Sequence, residues 1–163
     1  MQPQRSAAPA ALPADADRLA MPLGQVLFTQ RSIRRFRPDP IAERDIHLIL
    51  EAAIHAPNGG NRQPGRFLVL TDRALIQEFG KLYHEAWWAK RWDEHRWTKP
   101  EDIPLTEKNH QSAMRLADAM GRAPCIILAL ALPPGPANSV FPAVQNLMLA
   151  ARALGIGSVP TTL

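Results

Sequence analysis

The sequence predicts a domain of the α/β or α+β class in which helices cover a sheet. Three observations carry that reading. Apolar residues recur at helical spacing along 43–54 and 141–154. Two short, apolar, β-rich runs at 66–71 and 125–132 read as buried strands. Helical and strand patterns alternate along the chain, which favours a sheet wrapped by helices.

Each element has a local reason. Residues 1–21 are rich in Ala and Pro and lack apolar periodicity, so a disordered leader is expected. No apolar core follows Arg5, which argues against a signal peptide. Order is expected from Pro22. Leu23, Val26 and Leu27 give a short helix, and Pro38-Asp39-Pro40 a turn, because proline fixes φ and removes a donor. A second helix carries the stripe Ile46, Ile49, Leu50, Ala53 and Ile54, with Glu43, Arg44 and Glu51 off it. Pro57 ends that helix, and a loop leads into the first strand. Residues 73–97 read as one long helix or two joined ones. Residues 106–120 read as another, with Met114, Ala117 and Met120 facing the core. Gly121 stops it and Pro124 precedes the second strand. After the break at Pro133-Pro134-Gly135-Pro136, a helix over 141–154 presents Val144, Leu147, Met148, Ala151 and Leu154. Gly155 suits the left-handed position after it, so Gly155-Ile156-Gly157 is a helix stop and not a nucleotide fingerprint. Two or three strands fall short of the roughly four to six of an ordinary sheet. Hidden strands, a partner or a missing segment would have to complete it.

At 163 residues, 46% hydrophobic and 21% charged, the chain fits one globular domain. A single cysteine, Cys125, excludes an internal disulfide and any CxxC site; its apolar surroundings predict a buried, inert thiol and fit a reducing, cytoplasmic setting. Net charge is +4, suited to anionic small molecules. No basic block with interleaved aromatics points to nucleic acid, and no run approaches the roughly 20 apolar residues of a membrane span.

Two stretches carry the functional signal. Gln30-Arg31-Ser32-Ile33-Arg34-Arg35-Phe36 offers guanidinium forks and a hydroxyl suited to a phosphate, or a solvated basic turn. Arg35 is as well placed to point outward into a salt bridge. Ala56-Pro57-Asn58-Gly59-Gly60-Asn61-Arg62-Gln63-Pro64 is a turn, or an amide-lined loop for the polar edge of a flat heterocycle. Gln145 and Asn146 read as structural amides. Trp88 and Trp92, four apart on one helix face, serve core or dimer packing or wall a flat ligand; Trp87 and Trp97 are grouped with them. His47, His55, His84, His95 and His110 form no metal motif and read as surface residues.

Those two stretches resemble the FMN-dependent nitroreductase family. A third matching stretch runs from Ala143 through Gln145, Asn146 and Gly155 to Ser158, ending in Thr161-Thr162-Leu163. The resemblance covers residues 22–163 and implies an α+β, three-layer α/β/α domain with a mixed sheet flanked by helices. It further implies a homodimer with FMN at the interface. Arg31, Ser32, Arg34 and Arg35 would then hold the FMN phosphate and ribityl chain. Pro57, Asn58, Gly59, Asn61 and Gln63 would lie at the ribityl–isoalloxazine region, part of the loop serving the partner's flavin. Thr161 and Thr162 would approach N5 and the pyrimidine edge, and Ser139 would make a weaker contact. NAD(P)H is the implied co-substrate, with nitroaromatics, quinones or similar small oxidants as acceptors, and no catalytic side chain or metal. Gln30 departs from a commonly basic position and Gly65 from a common Trp. Relatives continue past Leu163 to a late basic phosphate contact, so the C-terminal part of the domain is expected to be missing. The resemblance leaves open a flavin-binding or interaction protein without turnover, and a flavin-fragmenting or dehalogenating relative.

Overall fold

In a computed structural model, the described residues are 12–133 and 137–162. Residues 1–11, Pro134-Gly135-Pro136 and Leu163, on which parts of the expected leader, chain break and third motif fall, lie outside them. The rest of the leader is tied down, contrary to expectation. Ala16–Arg18 form a 3₁₀ turn, the Arg18 guanidinium pairs with the Asp45 carboxylate, and Leu19 packs beside Ile49, Ala150 and Ala151.

Among the described residues, five α-helices and two strands follow in the order α1 (Leu23–Thr29), α2 (Glu43–Ile54), β1 (Gly65–Leu70), α3 (Arg73–His95), α4 (Lys108–Ala119), β2 (Ile126–Ala131) and α5 (Phe141–Ala153). The class is α+β. Several boundaries have visible causes. The Asp72 carboxylate caps α3 by accepting the Leu75 N–H at 2.9 Å. Pro142 stands in the first turn of α5, where its missing N–H costs nothing. Gly155 takes φ +76° just past α5, where its N–H reaches the Arg152 carbonyl and that of Ile156 the Ala151 carbonyl. Those two bonds close the helix, and Ile156 packs back on its end.

β1 and β2 are antiparallel, with Gly65 opposite Ala131 and Leu70 opposite Ile126. Alternation along the strands puts Phe67 and Ile126 on opposite faces. Phe67 packs on Ala53, Ala56, Ala143 and Leu147, from the α2–α5 side. Ile126 packs into a cluster of Tyr83, Trp87, Leu116, Ala117 and Met120, from the α3–α4 side. The sheet therefore lies between two helix pairs. Its strands are less buried than expected: Leu68 is 51% and Leu130 46% exposed. The α3–α4 cluster covers the Ile126 end of that face and leaves the other end open. The one parallel pairing among the described residues is an isolated bridge from Ser32 to Ser158.

The α2 stripe is also turned slightly. Ile46, Leu48, Ile49 and Ala53 are buried, whereas Ile54 is exposed, because α5 meets α2 on the Ile49–Ala53 side. Asn146 fastens the pair through its side-chain N–H to the Ala52 carbonyl at 3.1 Å. On the other side, α3 crosses the Met120–Arg122 turn at a glycine pair. A Cβ on Gly80 would lie 2.3 Å from the Gly121 nitrogen. Among the described residues no helix is long and apolar enough to cross a membrane.

Candidate functional site

The structure sorts the expected site residues into two groups. The first forms where Ser32 bridges to Ser158 and the Ile33 N–H donates to the Ser158 carbonyl at 3.0 Å. This pairing lays residues 31–36 beside 158–162. The approach is close at Gly157, where a Cβ would sit 3.0 Å from the Ile33 side chain and press on it. Arg34, Thr161 and Thr162 consequently line one cavity of about 220 Å³, together with Tyr83, Trp87, Lys90 and Arg91 of α3. The Tyr83 and Thr161 hydroxyls share a 2.5 Å hydrogen bond. Arg91 is buried, with its Nη2 2.7 Å from Glu94 and its guanidinium 5.2 Å from the Trp87 ring centre; its Nε has no acceptor among the described residues. Arg31 is exposed and folds back to donate to the Gln30 carbonyl.

The second group is the loop after α2. The Asn58 side-chain oxygen accepts the Gln63 backbone N–H at 2.8 Å, and the Gly59 N–H donates to Ser139 Oγ at 3.2 Å. Gly60, Asn61 and Gln63 take φ of 61°, 53° and 49°. Left-handed backbone is natural for glycine, tolerable for asparagine and strained for glutamine, by about 1–3 kcal/mol. Such strain persists only where surrounding bonds over-determine it, as the Asn58 clamp does here. Pro57 is exposed at the loop's start. No side-chain hydrogen bond joins this loop to the Arg34 cavity among the described residues.

Arg34 also borders a second cleft, of about 370 Å³, shared with Arg35, Phe36, Arg115, Asp118 and Arg122. Arg35 faces this cleft and has no salt bridge among the described residues. Tyr83, Lys90, Arg91, Arg115 and Arg122 were not among the expected site residues. The available signal was spacing for one pair only: Arg115 and Asp118 are three apart on α4 and share a face, whereas Arg122 lies in the turn after the helix and had no periodicity to mark it.

The tryptophans divide. Trp87 is buried and lines the Arg34 cavity, and Trp88 meets its edge at 4.9 Å. Trp92 is 47% exposed beneath Arg96. Trp87 thus lines the cavity, while Trp88 packs against the α3–α4 cluster. Trp88 donates its indole N–H to His84 Nε2 at 3.1 Å, which also lies 3.2 Å from Asp118. His95, Trp97 and His110 stack together, so these histidines are more than scattered surface groups. No group of three metal-ligating side chains exists among the described residues. Burial pushes the Cys125 thiol up from its ordinary value, which leaves it protonated and unreactive at neutral pH.

A sequence model of the nitroreductase family matches residues 27–163. The chain belongs to the nitroreductase family. A protein of Archaeoglobus fulgidus assigned by name as an NADH dehydrogenase/NAD(P)H nitroreductase is 28% identical over 145 residues, 83% of this chain and 64% of its own. The 5,6-dimethylbenzimidazole synthase of Rhodospirillum rubrum is 33% identical over 135 residues, 78% of this chain and 63% of its own. The chain thus spans just under two thirds of these relatives' length. The crystal structure of oxidized iodotyrosine deiodinase bound to FMN and 3-iodo-L-tyrosine superposes with a TM-score of 0.69 at 26% identity, covering 86% of this chain and 74% of that one. This nitroreductase-family chain therefore shares its fold with enzymes of several chemistries.

Proposed function

We propose that residues 22–163 form an FMN-binding domain of an oxidoreductase that uses NAD(P)H to reduce nitroaromatics, quinones or related acceptors. The observation that carries the reading is the cavity where Arg34 meets Thr161 and Thr162, built by the Ser32–Ser158 pairing. The residues fit FMN. Arg34 and Arg35 present guanidiniums with no acceptor in the chain among the described residues, which suits a phosphate. Arg31 and Ser32 stand beside them. Pro57, Asn58, Gly59, Asn61 and Gln63, with Ser139, offer a pre-formed amide rim for the ribityl chain and ring edge. Thr161 and Thr162 would hold the ring. When bound, FMN supplies hydride acceptance and release at N5, which makes turnover ping-pong and needs no side-chain nucleophile.

The chain's own work is positioning and charge. The Tyr83 hydroxyl fixes Thr161, and the cations Arg34, Lys90 and Arg91 lower the cost of negative charge gathering in the cavity. Separation of the amide loop from the Arg34 cavity supports a homodimer in which the two groups serve different flavins. Incubated with FMN, the purified protein should turn yellow and bleach anaerobically with NADH or NADPH. Arg34→Ala should raise the Kd for FMN about tenfold or more, the loss of one charge-assisted hydrogen bond. Protein that takes up no flavin would overturn the reading; yellow protein that no nicotinamide bleaches would leave a flavin-binding protein without turnover.

The likeness to iodotyrosine deiodinase and to 5,6-dimethylbenzimidazole synthase favours, as a second reading, a dehalogenating or flavin-fragmenting enzyme. Iodide release from 3-iodo-L-tyrosine, or loss of FMN with formation of 5,6-dimethylbenzimidazole, separates these from a plain reductase.

A further inference from the structure

One atom between α3 and α4 has two partners that it cannot serve together. Nε2 of His84 accepts the indole N–H of Trp88 at 3.1 Å and lies 3.2 Å from the Asp118 carboxylate of α4. The first contact needs a lone pair on Nε2, and the second needs a proton there. A neutral ring with its proton on Nδ1 serves Trp88. The other neutral tautomer serves Asp118 and leaves the half-buried indole N–H without an acceptor, which costs more than leaving a half-exposed carboxylate to water. A charged ring carries a proton on both nitrogens. It binds Asp118 and turns a donor toward the Trp88 donor, so the indole contact must open. Imidazole is the side chain whose ordinary charge change falls between about pH 5 and 8. This one is 43% exposed and open to bulk protons. The other charges nearby leave Asp118 as its partner. On α3, Lys81 pairs with Glu78, Arg91 pairs with Glu94, and Glu85 is exposed. Arg115 and Arg122 border the cleft that Asp118 lines, together with Arg34 and Arg35. The exchange reaches the cavity through the tryptophans. Trp88 sets its edge against Trp87 at 4.9 Å and 89°, and Trp87 lines the cavity with Arg34 and Thr161.

We infer that His84 is a pH-operated positioning residue. Neutral, it holds Trp88 against the cavity wall; charged, it lets Trp88 go and takes Asp118, and the cavity loses affinity for flavin. The effect on flavin rests on the reading of the cavity as an FMN site, whereas the exchange of partners does not. The test follows the indole N–H signal of Trp88 by NMR in the isotope-labelled full chain, assigned with Trp88→Phe, from about pH 8 to about pH 5. The signal should move along one titration curve, in step with the His84 ring signals. His84→Gln, which takes no charge, should abolish that movement. Asp118→Asn, which removes the acceptor of the charged ring, should hold the indole in its high-pH position down to a lower pH. Each variant is checked for an intact thermal melt. Over the same range the Kd for FMN should rise several-fold more in wild type than in His84→Gln, the loss of one hydrogen bond. That comparison cancels the titration of the FMN phosphate itself. An indole signal that stays put, that moves equally in His84→Gln, or that is unaltered by Asp118→Asn overturns the exchange. Matching FMN curves in wild type and His84→Gln overturn the link to the cavity. A chain whose indole titrates as expected but which takes up no FMN upholds the exchange and sinks the flavin reading instead.

Discussion

The Tyr83–Thr161 pair ties the middle of α3 to the segment that borders the cavity. Both hydroxyls belong to residues whose main contribution lies elsewhere, Tyr83 in the core and Thr161 at the surface. Tyr83→Phe keeps the packing and removes the bond, at a cost of about 0.5–1.5 kcal/mol. We expect a fall in Tm of a few degrees together with a several-fold higher Kd for FMN, read by melting and by flavin titration. A lower Tm with unchanged Kd would make the bond purely structural. Of the residues that line the candidate cavity, Arg34, Thr161 and Thr162 stood out in the sequence by motif and order along the chain. Tyr83, Lys90, Arg115 and Arg122 did not, since they reach the site only through the packing of α3 and α4. Trp87 was passed over for the same reason: identical side chains next door gave no hint of which one turned inward.

Among the elements, the clearest local signals held. The long helix at 73–95, the Gly155 stop and the Pro124 entry to β2 all follow from capping and backbone chemistry. What depended on neighbours shifted. The buried side of α2 includes Leu48 and excludes Ile54, because α5 and not the periodicity alone decides which side is covered. The crossing of α3 over the 120–122 turn depends on having no side chain at Gly80. Gly80→Ala would drive a methyl into the Gly121 backbone, where nothing flexible can yield. Overpacking of this kind costs about 1–3 kcal/mol or more, which outweighs the helix propensity gained. Tm should fall by several degrees. Gly24→Ala, with nothing within 4 Å of the added carbon, is the control and should be neutral or slightly stabilising.

At the scale of the whole molecule, apolar side chains remain uncovered on several elements. Leu23 is 69%, Phe28 78%, Ile54 62% and Phe141 63% exposed, and the open end of the sheet adds Leu68 and Leu130. Exposure of this extent marks an interaction surface more often than a free one. Light scattering should return twice the 18.0 kDa mass of one chain, and Phe28→Glu should shift it toward a single chain without unfolding it. The sequence anticipated a sheet too narrow to stand alone but could not say which faces stay open, since that is settled by where helices end. The bridge between Ser32 and Ser158 has a temporal consequence. Its two segments of backbone lie far apart in sequence, so on the ribosome the arginine segment emerges well before the residues it pairs with. Such distant closure is entropically late. The helices before it can settle first, whereas the cavity cannot form until residues 158–162 have emerged.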